Sequence, residues 1–298
     1  MKKVLTVAML SASILGVVGC STTKDNNSKQ AETTQTTKKE VVYKNLAKDG
    51  SFVVTKDKKV IPTSEVPKDA IFVDWYIDPY CPACVKLETL LSEKTDELYQ
   101  DNVYIRYHVL SFLDSETQTE DSTEGYSVKS AAYINAIVEV APEKSVDFLN
   151  KVLSLDFRPD DGLKEKSEYK KAFMEVKGTE EEWKSVEKLY KGLVKHNKKQ
   201  TAKTFNDSKL SQRSSSGELF VPFILIGPDN KALDFETSSD SVQYLFDKIN
   251  EYKNTYTKEK AEEAKEKAEK EAKEKAEKEA KEKAEAKKET TKSTTKKE

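Results

Sequence analysis

The sequence predicts an α/β fold in which a β-α-β opening and a late β hairpin are separated by a long helical block. Three observations carry that prediction. Ala70–Ile77, AIFVDWYI, is an apolar run rich in β-branched and aromatic residues, the mark of a strand buried on both faces. Val103–Leu110 alternates, with Val103, Ile105, Tyr107 and Val109 on one side and Tyr104, Arg106 and His108 on the other. Between them Val85, Leu87, Leu90, Leu91 and Leu98 fall near one helical stripe. Two strands joined by one helix are expected to run parallel.

The N-terminus starts with Met1-Lys2-Lys3 and a 15-residue, mostly apolar stretch, Val4–Val18, closing on V-V-G-C at Cys20. A spanning helix needs ~20 apolar residues, so this layout reads as a secretory signal over residues 1–19. Small residues before a cysteine resemble the lipobox of bacterial lipoproteins. That resemblance implies cleavage and lipid on Cys20, anchoring an exported protein to the outer face of the cell membrane. Residues 21–40 contain one apolar residue, Ala31, and cannot offset their ordering entropy by burial, so they read as a solvated tether. Arginine occurs only at Arg106, Arg158 and Arg213 against many lysines, a bias that points to an AT-rich, Gram-positive bacterial genome. The net charge of −2 gives no reason to expect nucleic acid as a partner.

The folded part spans about residues 41–257, one domain. Short β-like pieces, SFVVT and KKVIP, precede the first long strand. From Tyr126 to about residue 215 the period is helical. One helix covers Val128–Val140; another follows Pro142, with Phe148, Leu149, Val152 and Leu153 inward. Thr179 and Glu182 stand at capping-box spacing before the stripe of Trp183, Val186, Leu189, Tyr190, Leu193 and Val194. This block is expected to be an insertion with its own small core. The β pattern returns over Leu219–Ile226, turns at Gly227-Pro228-Asp229-Asn230 and continues over Ala232–Phe235. A last amphipathic helix carries Val242, Leu245, Phe246 and Ile249.

Residues 258–289 are almost wholly Ala, Glu and Lys, with Glu four before Lys at 263/267 and 266/270 among others. Alanine recurs every four residues from Ala264 to Ala284, which drifts around a 3.6-residue helix, so no coiled-coil seam forms. A single charged helix of ~48 Å is expected, with residues 290–298 as a disordered tail.

The segment DPYCPAC, residues 78–84, follows the first long strand and precedes its helix. With DPYCPACVKLE after a strand, RYHVLSF on the next, a helical insertion, and VPFILI opening the late hairpin, the chain resembles the thioredoxin superfamily, and within it the DsbA-type thiol–disulfide oxidoreductases. That resemblance covers roughly residues 60–250. It implies a thioredoxin-like fold with an inserted helical domain and a redox-active Cys81–Cys84 disulfide. It also implies that Pro222 is cis and lies against the CxxC, and that Val221 lends its backbone to an extended client peptide. The implied partners are exported proteins bearing thiols or disulfides, and a redox-recycling partner, because the mature chain has no second cysteine pair. No cofactor is implied.

The residues themselves support thiol chemistry. A sulfur at the start of a helix faces unpaired backbone N–H groups and the positive dipole end, which favours thiolate. Cys81 is thus expected to be the nucleophile and Cys84, one turn on, the resolving thiol. Pro82 suits the first turn, and it and Tyr80 are expected to touch client. Competing readings of the pair are a structural disulfide, a zinc half-site and inert buried thiols. A CxxC loop constrains little chain entropy, and only His108 and His196 are available to complete a metal site, so no metal is expected. Two positions depart from the family pattern. Ala83 stands where DsbA-type oxidases often carry a histidine, which predicts a less oxidising disulfide. The buried acid found in thioredoxins six residues before the first cysteine is replaced by Trp75, with Asp74 one residue earlier. Asp74 is a candidate proton shuttle only if a bulge returns it to the cysteine face.

Overall fold

The structure is a computed structural model that describes residues 42–113, 125–160, 164–227, 232–233 and 239–294. Residues 1–41, where the sequence reads as a signal, Cys20 and a tether, and residues 295–298 lie outside the described residues, as does most of the second limb of the late hairpin. No helix among the described residues is long and apolar enough to cross a membrane.

The sheet has five strands in the order β2-β1-β4-β3-β5. The short early pieces form β1 (Phe52–Val54) and β2 (Val60–Ile61), an antiparallel pair. The two long strands are β3 (Ile71–Ile77) and β4 (Val103–Val109), paired in parallel over their full length. Helices α1 (Pro82–Ser92) and α2 (Thr95–Leu98) connect them. β5 (Phe223–Ile226) runs antiparallel to β3 on its other side, which puts β3 in the interior of the sheet. That position explains its apolar sequence: both faces of β3 are covered. The late strand begins at Phe223 rather than Leu219, because Pro222 has no N–H to give a ladder. Gly227, at φ +74, carries the β3 ladder one step further by donating to the Phe72 carbonyl (2.9 Å), and Tyr252 sits where a side chain would be. On the hairpin's return, Leu233 N–H donates to the Ile224 carbonyl (2.9 Å).

The helical block comprises α3 (Tyr126–Val140), α4 (Ser145–Val152), α5 (Lys166–Glu175), α6 (Glu180–Phe205) and α7 (Ser208–Ser211). The Thr179–Glu182 capping box opens α6. The block does not have a separate core, contrary to the sequence expectation. Tyr126, Ile137, Phe148, Phe173 and Trp183 belong to one buried cluster with Trp75, Cys84, Val85 and Tyr107 of the sheet and α1. α3 is the reason: twelve of its residues are buried, so it has apolar surface for the sheet side and for α6 alike.

The final helix, α8, is unbroken from Ser239 to Thr294. Val242, Leu245, Phe246 and Ile249 bury its first turns, while residues 257–275 are exposed. No break separates the amphipathic helix from the charged arm, and the helix continues over 290–294, where the sequence reading placed a disordered tail. A run of Ala, Glu and Lys has no breaker to stop propagation once a packed nucleus exists. The ion pairs on the described arm are Lys260–Glu263 (2.8 Å) and Lys267–Glu271 (4.0 Å), not the Glu-before-Lys pairs. Exposed pairs of this kind contribute little individually.

Candidate active site

The strand β3 ends at Ile77, and Asp78-Pro79-Tyr80 turn the chain into α1, with Cys81 as the helix N-cap. Cys81 N–H donates to the Asp78 carbonyl (3.0 Å), closing the turn. The Cys84 amide donates to the Cys81 sulfur (3.2 Å), the N-capping geometry that a free N-terminal amide offers an anion. Both cysteines are buried and not bonded to each other here. Cys81 is held below the ordinary thiol range, first by the hydrogen bond from Cys84, against burial, and further by the Cys84 and Ala83 amides. Cys84 is pushed well up by burial and by its neighbour Cys81. Pro82 is exposed at the first helical position.

The Val221–Pro222 peptide is cis, and the Cys81 thiol donates to the Val221 carbonyl (3.5 Å). The two segments are 140 residues apart in sequence. β3 brings them together, because β5 starts beside Tyr76 and so delivers residues 221 and 222 next to the end of β3. Phe220 is partly exposed at this edge, whereas Trp75, Tyr76 and Phe223 are buried and belong to the packing.

Asp74 is not near the thiols. The β3–β4 register runs without interruption from Ile71↔Val103 to Ile77↔Val109, so no bulge shifts its side chain. It lies on the face opposite Val73, Trp75 and Ile77, which pack with α1. There it pairs with Arg106 and receives a second bond from the same guanidinium (2.7 Å) and one from His108 (2.9 Å). Burial would raise its pKa, but the bonds from His108 and Arg106 outweigh burial and hold it at about 2. A carboxyl held that firmly as carboxylate does not carry protons near neutral pH, and the shuttle role is withdrawn. His108, stacked on Tyr76 (centroids 4.0 Å apart), is part of this structural cluster.

The acid that does lie at the thiols is Asp78. It is fully buried and accepts from Tyr80 N–H (2.8 Å), Phe112 N–H (2.8 Å), Leu113 N–H (3.1 Å) and Ser127 Oγ (2.6 Å). Burial raises its pKa against those four bonds, and its charge raises both thiols in turn. The bond to Tyr80 is a local Asx turn, readable from D-P-Y; the other three partners come from the stretch just after β4 and the start of α3. A second buried acid, Glu88, lies one turn beyond Cys84 on α1, and burial alone pushes it up to about 7. In the orientation that satisfies its neighbours, the Asn150 amide donates to Glu88 Oε1 (2.9 Å). Glu88 gave no signal in the sequence beyond being a charge on a helix whose other inward positions are apolar.

No protein-family model matches the chain, and no curated protein matches it in sequence. Solved structures do. The MdbA protein of Corynebacterium diphtheriae, a thiol-disulfide oxidoreductase, superposes with a TM-score of 0.50 at 18% identity, over 70% of this chain and 96% of that one. The chain has a DsbA-type thioredoxin-like fold. DsbA from Mycobacterium tuberculosis in its reduced form matches at 16% identity over 67% of this chain and 91% of its own, with a TM-score of 0.47. The MdbA protein of Corynebacterium matruchotii matches at 20% identity over 64% and 90%, also at 0.47. In this DsbA-type arrangement the helical block interrupts the thioredoxin-like sheet between β4 and β5, which is where the chain carries α3 to α7.

Proposed function

We propose that the chain is an extracytoplasmic thiol–disulfide oxidoreductase, anchored by lipid on Cys20, that introduces disulfides into exported proteins. The observation that carries this reading is the asymmetry of the pair. Cys81, on the Cys84 amide, is stabilised as thiolate, while Cys84 is buried and held as thiol. Stabilising the reduced form's thiolate makes the corresponding disulfide a better oxidant.

In the oxidising direction a client thiolate attacks the Cys81 sulfur of the Cys81–Cys84 disulfide. The S–S bond breaks, and Cys84 leaves and takes up a proton, as its raised pKa favours. A second client thiolate then attacks the client's own sulfur in the mixed disulfide. The client disulfide forms and Cys81 leaves as thiolate, a good leaving group because its pKa is low. The enzyme ends two electrons reduced and needs a recycling partner to reoxidise it. The cis Val221–Pro222 peptide beside Cys81 supports β-strand-like docking of an extended client. Two features temper the oxidising power: the Asp78 charge raises Cys81, and Ala83 offers no side-chain donor.

Refolding a reduced, inactive secreted enzyme with the oxidised chain tests the reading. Wild type is expected to restore activity and Cys81→Ala to lose at least about 1,000-fold in rate, since the exchanging sulfur is gone. Equal performance by Cys81→Ala sinks the proposal. Recovery only in the presence of a reducing cosubstrate would assign the reductase direction instead.

A further inference from the structure

One of the three arginines is used in an unusual way. After α4 the chain makes a short irregular turn in which Phe157 and Arg158 N–H groups both donate to the Ser154 carbonyl (3.2 and 3.1 Å). Phe157 is buried against Tyr126 and Tyr169, which anchors the turn in the core. Arg158 then reaches out to the residue that precedes the nucleophile. Its Nε–H donates to the Tyr80 carbonyl (2.9 Å), and its guanidinium lies over the Tyr80 ring, 4.4 Å from the centroid. Tyr80 Oη–H donates to the Asp160 carbonyl (3.3 Å), and the ring stands edge-on to Tyr126 (5.8 Å). Among the described residues Arg158 makes no ion pair. Its cation is spent on a carbonyl and a ring, both belonging to Tyr80.

Tyr80 was expected from the sequence to touch client. In the structure its carbonyl, ring and hydroxyl are each engaged by the helical block. The carbonyl matters most, because it belongs to the peptide plane that enters Cys81. Fixing that plane fixes the rotation of the Cys81 backbone, and hence whether its sulfur stays on the Cys84 amide at 3.2 Å and by the Val221 carbonyl at 3.5 Å. A planar guanidinium does this better than an ammonium, since Nε–H has a set direction while the same plane stacks on the ring.

We propose that Arg158 is a positioning residue of the active-site turn: by clamping Tyr80 it holds the Cys81 sulfur on the helix N-terminus and so sets its thiol exchange equilibrium. The proposal rests on the oxidoreductase reading. It gives the helical block a part in the chemistry that the block's own packing does not require.

The test uses the whole chain as wild type, Arg158→Ala and Arg158→Lys, with two readouts that a merely structural role would leave alone. The first is the pH midpoint of Cys81 alkylation. The second is the equilibrium with glutathione, in which Cys81 thiolate attacks glutathione disulfide, one glutathione leaves, and Cys84 displaces the other to close the Cys81–Cys84 disulfide with release of two glutathione thiols in all. Arg158→Ala is expected to raise the alkylation midpoint by about 0.5 pH unit and to shift the equilibrium about threefold toward the enzyme disulfide, because a less stabilised thiolate makes a weaker oxidant. Arg158→Lys is expected to resemble Arg158→Ala, since lysine keeps the charge but loses the directed donor. If Arg158→Ala keeps the wild-type midpoint and equilibrium, whatever its melting temperature, the proposal is overturned. An Arg158→Lys variant indistinguishable from wild type overturns it as well, by showing that charge alone matters. Should wild type fail to exchange with glutathione disulfide, the oxidoreductase reading fails, and the alkylation midpoint still reports whether Arg158 positions Cys81.

Discussion

The two faces of the sheet treat a buried carboxyl in opposite ways. On the face away from α1, Asp74 sits among partners that want it charged, Arg106 and His108, and its pKa falls to about 2. On the α1 side, Glu88 is packed near Tyr99 and Tyr107 with a single amide for company, and its pKa rises to about 7. Asp78, four residues beyond Asp74, is intermediate: four donors hold it, yet burial still moves it up. Burial alone therefore does not decide a group's charge. The balance of desolvation against directed donors does, and in this chain that balance changes sign across one strand's thickness.

The sharpest way to break the comparison is at Asp78. Asp78→Ala leaves the N–H groups of Tyr80, Phe112 and Leu113 and the Ser127 hydroxyl without their acceptor. At roughly 1–3 kcal/mol for each buried donor left unmade, partly relieved by water, chemical denaturation is expected to show a loss of about 3–5 kcal/mol. The alkylation midpoint of Cys81 is expected to fall in the same variant, because a negative charge that raises it has gone. An unchanged or higher midpoint would contradict the placement of Asp78 at the thiols.

Glu88 gives the next largest effect, through pH. Its folded pKa of about 7 lies above the ordinary 4.5, so the native state binds more protons than the unfolded chain between those values. Stability therefore falls as pH rises through that window, by about 3 kcal/mol in all, and stays at the lower level above it. Glu88→Gln removes the titration. Urea unfolding at a series of pH values is expected to show a shallower decline for the variant than for wild type; parallel profiles would mean that Glu88 is solvated.

Asp74 is expected to behave the other way, and more weakly. Its folded pKa lies below the ordinary 3.8, so its stabilisation is complete above that value and is lost as pH falls toward 2. Asp74→Asn is expected to cost about 2 kcal/mol at pH 7 and almost nothing at pH 2, while leaving the glutathione equilibrium of the cysteine pair at its wild-type value. A changed equilibrium would restore a catalytic part for Asp74.

These cases mark the limit of what neighbouring residues reveal. The alternation in Val103–Val109, the apolar run in β3 and the stripe in α1 are periodicities, and periodicity is a local property that survives in the sequence. The position of Cys81 at a strand-to-helix junction follows from those two patterns meeting. So does the doubt over Asp74, since parity along a strand assigns its face unless a bulge intervenes, and the unbroken register shows none. The continuous core was missed for a different reason: α3 is apolar nearly all round, and such a helix does not declare which neighbours it joins.

By itself, then, the sequence determined the β-α-β frame, the helical block, the charged arm and the cysteine pair at the junction, because each is written in spacing over a few residues. The tertiary structure alone decided which groups meet that pair. Phe112, Leu113 and Ser127 reach Asp78 from 34, 35 and 49 residues away, Arg158 reaches Tyr80 across 78, and Val221 reaches Cys81 across 140. Such contacts depend on how strands and helices cross in space, and all but the Ser127 bond use a backbone N–H or C=O, groups that nearly every residue carries. A sequence has no means of marking which of its many amides will be the one that is used.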